Sequence, residues 1–396
     1  MGTEKNITFL KTLLTNSALP PIYNTITYKN TNLFTKKTTN QNNQTVQLTT
    51  IKDIPGYLEL NLSRNLKNIR INTIKTLRGH LVDLTLFKDF KEYVSKKISP
   101  KSKYNLNRYK NRLETCFNTK YVVYHGDIDK KEYDRLFIFL KDFLVRRFQE
   151  KKEKNYELQY LQEFHTLCYD MIIQNRANLF VIYNDNTPIS IRINMFTNDL
   201  AYYIISGYDI DYSKFHLGAI DMLKNIEWCF QNKFKAYDLL KGYDYYKQKW
   251  ATGSYFNYMQ IAYNSGAIYF NMKAHYMTSK ERFRQYLIKK VKSYNLDKPY
   301  KKIRKFTYKY TNKPQHIKEV KITVKNNIHT KNAKTKINIQ TNADYRYLKR
   351  YVYNFLFLNK EHFSNTSVYS IADKPNYFEV IGKDNNQLLI VDIIKG

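Results

Sequence analysis

The sequence predicts an α+β protein in which helices flank a mixed, largely antiparallel sheet. Three observations predict this class. Apolar residues recur at a spacing of three to four through residues 102–172, and apolar runs separated by short turns follow in residues 179–206. One amphipathic helix then crosses between the apolar runs 202–206 and 234–240. Helices packed against an antiparallel meander with one helical crossover are typical of an α+β fold.

The crossover segment, residues 201–250, organises the rest of the chain. Its first strand ends in a polar turn that contains Gly207, Asp209 and Asp211. Gly242 ends its second strand, and a tyrosine-rich stretch follows. The helix between them has one apolar face, formed by Leu217, Ile220, Leu223, Ile226 and Phe230. The segment is therefore predicted to be a strand, a loop, a helix, a second strand and a turn.

The start of this helix is a candidate anion site. The first turn of a helix leaves backbone N–H groups without intrahelical partners, and the helix dipole adds partial positive charge there. Gly218 would let an anion approach that backbone closely, and Lys214 would add a full positive charge. The alternative is that Gly218 relieves crowding where the helix meets the sheet.

Several short motifs of this region together resemble a known family. They are Gly207-Tyr208-Asp209, Leu217-Gly218-Ala219, Tyr237-Asp238-Leu239, Gly242 and Tyr246-Lys247, with Ser102-Lys103-Tyr104-Asn105-Leu106-Asn107-Arg108-Tyr109 and Asn184-Asp185-Asn186-Thr187-Pro188-Ile189 upstream. The chain from 96 to 250 resembles the GNAT-superfamily acyltransferase domain of the cellulose-biosynthesis (CelD-like) type. That family is related to the Fem-type aminoacyltransferases.

The resemblance implies a fold, a donor and a donor site. The fold would be GNAT-like, with two GNAT-like lobes and a small C-terminal extension. The donor would be acetyl-CoA or another acyl-CoA, used as a co-substrate with no metal, and the acceptor an amine of unknown identity. The pyrophosphate would bind at the loop and helix start formed by Lys214, Phe215, His216, Leu217, Gly218 and Ala219. The usual GNAT phosphate motif has more glycines, and some relatives use aminoacyl-tRNA instead.

The resemblance also implies catalytic residues. Acyl transfer needs a base for the amine and a group that stabilises the leaving sulfur. Tyr246 would be the acid, Lys247 would stabilise developing negative charge, and Asp209 or Asp211 would be the base. Asp238, in an apolar strand, is expected to have a raised pKa. The alternatives are structural: turn aspartates that satisfy their own backbone, an ion pair of Asp238 with a nearby lysine, and side chains that cover a sheet edge.

The net charge of +32 is concentrated in one part of the chain. Residues 280–336 contain 19 Lys and Arg against 3 Asp and Glu, a net charge of +16 and half of the total. Such a field attracts nucleic acid or another polyanion, and we predict that this stretch binds one. The abundance of lysine, asparagine, tyrosine and isoleucine is also typical of an AT-rich coding sequence, which would explain part of the charge without a partner.

Composition changes suggest four parts. Residues 1–95 are predicted to form a degenerate GNAT-like lobe, with loosely held strands and a long loop in 1–50. Residues 96–275 form the acyltransferase domain, 276–310 a basic helix and linker, and 311–396 an appended small α/β domain of unknown role. The division rests on patterning and on the resemblance.

The sequence also disfavours several classes. The three cysteines, Cys116, Cys168 and Cys229, are distant and lie in apolar helical patterns, so we expect reduced core residues, neither a disulfide framework nor a metal site. The sequence has no apolar run of spanning length and no start typical of a signal peptide, so we expect a cytoplasmic protein. Besides acyl transfer from coenzyme A, two readings stay open: a Fem-like aminoacyl-tRNA-dependent transferase, and a non-catalytic GNAT-fold protein that binds a polyanion.

Overall fold

The computed structural model describes residues 4–36, 47–63, 66, 68–153, 157–242, 245–294, 319–326, 328, 330 and 332–394. These residues form a mixed α+β structure in which large, mostly antiparallel sheets are flanked by helices. The predicted fold class is confirmed. Residues 295–318, which contain 8 of the 19 Lys and Arg of the 280–336 stretch, lie outside the described residues, so the structure does not describe that part of the prediction.

The first third of the chain is mainly strands. Its elements are β1 (Glu4–Thr8), α1 (Phe9–Asn16), β2 (Tyr23–Tyr28), β3 (Thr31–Thr35), β4 (Leu48–Pro55), β5 (Glu59–Leu62), β6 (Ile69–Asp83) and α2 (Phe90–Lys97). Helix α1 was not predicted. It buries Phe9, Leu13 and Leu14, and these apolar positions, at a spacing of four and one, are too few to show a clear period in a polar stretch.

The central part alternates helices with a strand meander. Its elements are α3 (Pro100–Cys116), β7 (Thr119–Tyr124), α4 (Lys130–Lys151), α5 (Leu158–Ile173), β8 (Ala177–Asn184), β9 (Thr187–Thr197), β10 (Leu200–Tyr208), a 3₁₀ turn (Ile210–Phe215), α6 (Leu217–Gln231), β11 (Ala236–Lys241), α7 (Tyr245–Trp250) and β12 (Gly253–Asn264). Asp129 caps α4, accepting from the amides of Lys131 and Glu132 at 3.0 Å each.

One nine-stranded sheet joins these two parts, in the order β1-β4-β12-β6-β11-β10-β9-β8-β7. All pairs are antiparallel except β1 with β4 and β10 with β11. Every residue of β8 is buried, because helices cover both faces of the sheet there. Strands β4 and β6 from the first 95 residues pair with β12, so the predicted N-terminal lobe and acyltransferase domain share one sheet.

The C-terminal part has its own five-stranded sheet. After α8 (Ile268–Ser293), its elements are β13 (Glu319–Asn326), β14 (Lys334–Ile337), α9 (Lys349–Asn359), β15 (Ser367–Ile371), β16 (Lys374–Ile381) and β17 (Asn386–Ile394). The strand order is β13-β17-β16-β15-β14. Helix α9 packs against α3 and the 3₁₀ turn, and Phe355 and Leu356 share a core with Leu113 and Phe215. The C-terminal part therefore supports the loop that precedes α6.

Candidate functional site

The functional site begins where β10 and β11 separate. These parallel strands pair over three positions, ending at Tyr202 with Asp238. Beyond that point β10 continues along β9, whereas β11 continues along β6. The backbone between the two strands is then open. A cavity of about 1160 Å³ occupies this region, lined by β10, the start of α6, helix α7 and the facing ends of α3 and α4.

The start of α6 forms one wall of this cavity. His216 has a left-handed backbone (φ 51°), which turns the chain from the 3₁₀ turn into the helix, and its carbonyl accepts from the amides of Ala219 and Ile220. Leu217 and Gly218 line the cavity, and they precede Ala219, whose amide is the first to donate to the His216 carbonyl. This is an arrangement that can bind an anion.

The His216 side chain stacks against Tyr109 of α3, with ring centroids 4.0 Å apart. Burial lowers the pKa of His216 below its usual value, and the nearby charges of Arg108 and Lys214 lower it further. The imidazole is therefore neutral at physiological pH. It contributes a polar, uncharged edge to the cavity and no positive charge.

Gly218 is packed closely against β10. A Cβ atom added at Gly218 would lie 3.2 Å from Cε1 of Tyr208. This contact supports the alternative stated above, in which Gly218 relieves crowding against the sheet. The same glycine lines the cavity, so close packing and access for a ligand coexist at this position.

Helix α7 forms the opposite wall and reaches across to α6. The hydroxyl of Tyr246 donates to the carbonyl of Gly218, which ties the two walls together. Burial of this hydroxyl end raises the pKa of Tyr246, although 37 % of the side chain is exposed. The phenol is therefore fully protonated at physiological pH. We expected residues 245–250 to turn back over the sheet and to bring Tyr246 near the opening between β10 and β11. Tyr246 lies at this opening.

Lys247 also lines the cavity. Its ammonium lies 5.5 Å from the ring centroid of Tyr203, and it approaches the carbonyl of Lys241 at 3.4 Å. The same Tyr203 ring has a second cation near it, because the guanidinium carbon of Arg192 lies 4.1 Å from the ring centroid. Two cations therefore share the π-system of one tyrosine at the base of the cavity.

A buried polar network lies beneath this cavity. Arg192, 1 % exposed, donates from Nε to Oδ2 of Asp221 at 2.7 Å, and a second guanidinium nitrogen bonds the same oxygen. Asn225 donates to Oδ1 of Asp221 at 3.0 Å. The hydroxyl of Tyr237 lies 3.3 Å from Nη1 of Arg192. These contacts fix the guanidinium at the cavity floor, because every change of its position would leave a buried charge without its partner.

Sequence reasoning missed this network. Arg192 lies in an apolar strand run, and Asp221 falls on the same face of α6 as Leu217. A charged residue in a pattern that is otherwise buried is the signal that could have found each of them. Their pairing across 29 positions depends on how the helix is placed on the sheet, which residue periodicity does not specify.

The charge of the lining is strongly positive. The Lys and Arg residues that line it outnumber the glutamates, which are Glu150, Glu153 and Glu157. The cations are Lys97, Arg147, Lys151, Arg192, Lys247, Lys249 and Arg350. A concave site with this excess attracts anionic ligands. Arg350 comes from α9, so the C-terminal part contributes directly to the site.

Two of the predicted donor-site residues lie elsewhere. Phe215 is completely buried in a core with Phe117, Tyr212 and Phe357, and Lys214 is not among the residues that line the cavity. The 3₁₀ turn causes this, because it directs Phe215 inward. The predicted loop site is therefore reduced to His216, Leu217, Gly218 and Ala219.

The two turn aspartates are bound by an arginine. Nη1 of Arg146 lies 2.7 Å from Oδ1 of Asp209, and Nη2 lies 2.7 Å from Oδ2 of Asp211. Asp209 also caps the 3₁₀ turn by accepting from the Asp211 amide. Neither carboxylate lines the cavity. Their geometry corresponds to the structural alternative, in which they hold the loop before α6 against α4.

Asp238 is enclosed and does not line the cavity. Its carboxylate accepts from the hydroxyls of Tyr57 at 2.8 Å and Tyr255 at 2.7 Å and from the amide of Leu240 at 2.8 Å. Of the two lysines that the structural alternative would pair with Asp238, Lys241 binds Asp53 at 2.6 Å, whereas the charge of Lys247 acts on Asp238 and lowers its pKa. Burial raises the pKa of Asp238 to about 6, although these hydrogen bonds oppose the shift. The residue stabilises the sheet next to the site.

The raised pKa of Asp238 predicts a pH dependence of stability. The folded protein holds this proton more tightly than the unfolded chain, so the contribution is present in full below pH 4 and is lost as the pH rises through 6. We expect the stability advantage of the parent over Asp238→Asn to fall by about 2 kcal/mol between pH 4 and pH 7. Urea denaturation of both proteins across this range measures it, and a difference independent of pH contradicts it.

The cysteines are all in the core. Cys116, Cys168 and Cys229 are buried and unpaired, and burial raises the pKa of Cys116 to about 12. Among the described residues, no three His, Cys, Asp or Glu side chains are grouped as a metal ion would require. In the same part of the chain, no helix is both long and apolar enough to span a membrane.

Comparison with known proteins shows one family similarity. A family model for the acetyltransferase (GNAT) domain matches residues 100–248, which run from the start of α3 into α7 and provide most of the cavity lining. The chain is therefore similar to the GNAT domain over this region, and acyl transfer is the class of chemistry that the match supports. The match does not distinguish a CelD-like type. No curated protein matches the chain.

Several solved structures are similar at low identity. The C-terminal DUF2156 domain of a candidate lysylphosphatidylglycerol synthetase from Agrobacterium fabrum is 12% identical, covering 54% of this chain and 67% of that one, with a TM-score of 0.37. FemX is 10% identical, covering 50% and 64%, with a TM-score of 0.36. A tandem GNAT protein from the clavulanic acid biosynthesis pathway is 8% identical, covering 54% and 63%, with a TM-score of 0.29. These similarities carry no argument here.

Proposed function

We propose that this protein is an N-acyltransferase that moves an acyl group, such as acetyl, from a coenzyme A thioester to an amine. One observation carries the proposal. The cavity has the start of α6 on one wall and Tyr246 with Lys247 on the other, at the point where β10 and β11 separate. A donor anchored by its phosphates at Leu217 and Gly218 would place its thioester between these walls.

The reaction needs a balanced proton transfer. The amine nitrogen attacks the thioester carbonyl, a C–N bond forms, and the C–S bond breaks as the tetrahedral intermediate collapses. The ammonium of Lys247 stabilises the oxyanion. The hydroxyl of Tyr246 protonates the leaving thiolate, and the proton released by the amine restores the phenol through water. Tyr246 suits the acid role because it lines the cavity beside Gly218 and keeps its proton at physiological pH, whereas the burial that raises its pKa makes it a weaker acid.

The strongly positive lining favours a second donor. A Fem-like reaction would take the acyl group from aminoacyl-tRNA, whose phosphates would contact the same cations. Binding of acetyl-CoA and of bulk tRNA, measured side by side at two salt concentrations, separates these donors. Saturable acetyl-CoA binding with release of free thiol in the presence of an amine panel supports the first proposal. Binding of tRNA without binding of acetyl-CoA supports either the Fem-like donor or a non-catalytic polyanion-binding protein. An assay of aminoacyl transfer from charged tRNA distinguishes these two, because only the Fem-like enzyme transfers the group.

Replacing Gly218 with valine tests the donor site. The added Cβ would stand 3.2 Å from the Tyr208 ring, and the branched methyl groups would cover the amides at the start of α6. We expect at least a tenfold loss of acetyl-CoA affinity, measured by calorimetry, on the order of one lost charge-assisted hydrogen bond. Gly253→Val is the matched control, because a Cβ there meets no atom within 4 Å. Unchanged affinity in a folded Gly218→Val protein contradicts the proposed donor site.

A further inference from the structure

Helix α8 exposes an apolar stripe along its whole length. The stripe includes Tyr269, Met272, Tyr276, Phe283, Leu287 and Val291, each at least 41 % exposed. Successive members are separated by three, four or seven residues, so they lie on one side of the helix. With Tyr294 just beyond the helix, also 66 % exposed, the stripe spans 26 residues and about 38 Å.

The stripe faces away from the sheet on which α8 packs. On its other side α8 packs against β12 and β6 through Ala274 and Thr278, which are buried, with Phe270 and Met277 partly buried beside them. Asn72 of β6 donates to the Thr278 hydroxyl at 3.0 Å, which fixes the rotation of the helix on the sheet. The apolar residues of the stripe are therefore held outward by the fold. Scattered exposed apolar residues are ordinary, whereas a continuous apolar band marks an interaction surface.

Positive charge accompanies the stripe. The sequence of α8 contains seven Lys and Arg and one Glu. Lys280 and Lys290 lie on the stripe itself, with their ammonium groups 6.0 Å from the Tyr276 ring centroid and 5.5 Å from the Tyr286 ring centroid. The single glutamate, Glu281, is engaged by Arg284 at 3.0 Å. The partner must therefore be both apolar and negatively charged.

We propose that α8 docks this protein onto an anionic lipid surface, with the stripe inserted at the level of the headgroups. A helix with an apolar face bordered by Lys and Arg binds such an interface through buried apolar area and attraction to anionic lipid. A second copy of the chain fits poorly, because pairing two α8 helices would bring two positive surfaces together. The bases of single-stranded nucleic acid would stack on the tyrosines, but the aliphatic side chains of Met272, Leu287 and Val291 neither stack on bases nor bind phosphates. The proposal does not depend on the proposed acyl transfer.

Vesicle co-sedimentation of the full-length protein tests this surface. The probes are vesicles of phosphatidylcholine alone and of phosphatidylcholine with phosphatidylglycerol. We expect binding to the anionic vesicles, and a roughly tenfold or greater loss for Phe283→Ser with Leu287→Ser, because two large side chains no longer enter the interface. Lys280→Glu with Lys290→Glu should weaken binding by roughly tenfold or more and make the remaining binding less sensitive to salt, because five Lys and Arg of α8 remain.

Ile138→Ser is the matched control, because Ile138 is 71 % exposed on α4, away from this surface. It should bind anionic vesicles like the parent, and all variants should keep the parent melting temperature. Three results overturn the proposal: equal binding by the Phe283→Ser and Leu287→Ser variant, equal binding to neutral vesicles, or no vesicle binding by the parent. If the Phe283→Ser and Leu287→Ser variant loses binding to a single-stranded oligonucleotide while its vesicle binding is unchanged, the surface binds nucleic acid instead.

Discussion

Replacing Lys247 with alanine is expected to lower turnover by about 100- to 1000-fold while changing donor affinity little. Loss of one electrostatic donor to a developing oxyanion typically costs about 3–4 kcal/mol of activation free energy. Lys247 is suited to this role because it lines the cavity on the wall opposite the start of α6, next to Tyr246, which bonds Gly218. Steady-state kinetics with acetyl-CoA and calorimetry of donor binding measure the two quantities separately.

Lys249→Ala is the matched control for this experiment. Lys249 lies two residues further along α7, lines the same cavity and has its ammonium 5.4 Å from the Tyr245 ring centroid. Removing it lowers the local charge by the same amount, so we expect weaker donor binding with turnover within a few-fold of the parent. If both variants lose turnover equally, the effect is one of general charge, and the specific role of Lys247 is wrong.

Replacing Asp221 with alanine is expected to destabilise the folded protein by about 3–5 kcal/mol. The change leaves Arg192 buried without its carboxylate, and the cost of an uncompensated buried charge is of this size. The Arg192 side chain is 1 % exposed and Asp221 is fully buried, so water cannot replace the lost partner without opening the core. Urea denaturation of the parent and the variant gives the difference in the free energy of unfolding.

The double variant Arg192→Met with Asp221→Leu distinguishes a charge effect from a packing effect. Replacing both charges with apolar side chains of similar size is often close to neutral, so most of the lost stability should return. The same variant should bind an anionic donor less well than the parent, because the cavity floor loses its guanidinium. A single Asp221→Ala variant within 1 kcal/mol of the parent would show that the pair contributes little to stability.

Local patterns predicted much of the framework. The alternation and spacing of apolar residues placed α3, α4, α6 and the meander β8 to β10 close to their observed positions. The predictions were less accurate for irregular elements. Strand β6 (Ile69–Asp83) is 15 residues long and a 3₁₀ turn (Leu84–Leu86) follows it, and local patterns did not predict this long strand. Many polar residues in β6 face solvent, and this weakens its apolar pattern.

The candidate site was predicted in part. The motifs around Gly218 and Tyr246 indicated two segments that the structure brings together, with a hydrogen bond between them. Their catalytic roles stay predictions. Asp209 and Asp238 were selected because carboxylates near strand ends are chemically suitable, but each is bound by partners distant in sequence: Arg146 for the first, and Tyr57 and Tyr255 for the second. No local pattern contains those partners.

The sequence by itself determined the helices and strands of the central region and the crossover between β10 and β11, because burial of one face imposes a period that neighbouring residues reveal. Only the tertiary structure decided where β10 and β11 separate, that Arg192 pairs with Asp221, and that Arg350 of α9 reaches the cavity. It also decided that the apolar side of α8 faces outward, because the side with Ala274 and Thr278 packs against the sheet. These outcomes depend on which distant segments pack together, and an apolar period specifies that a face is buried without specifying its partner.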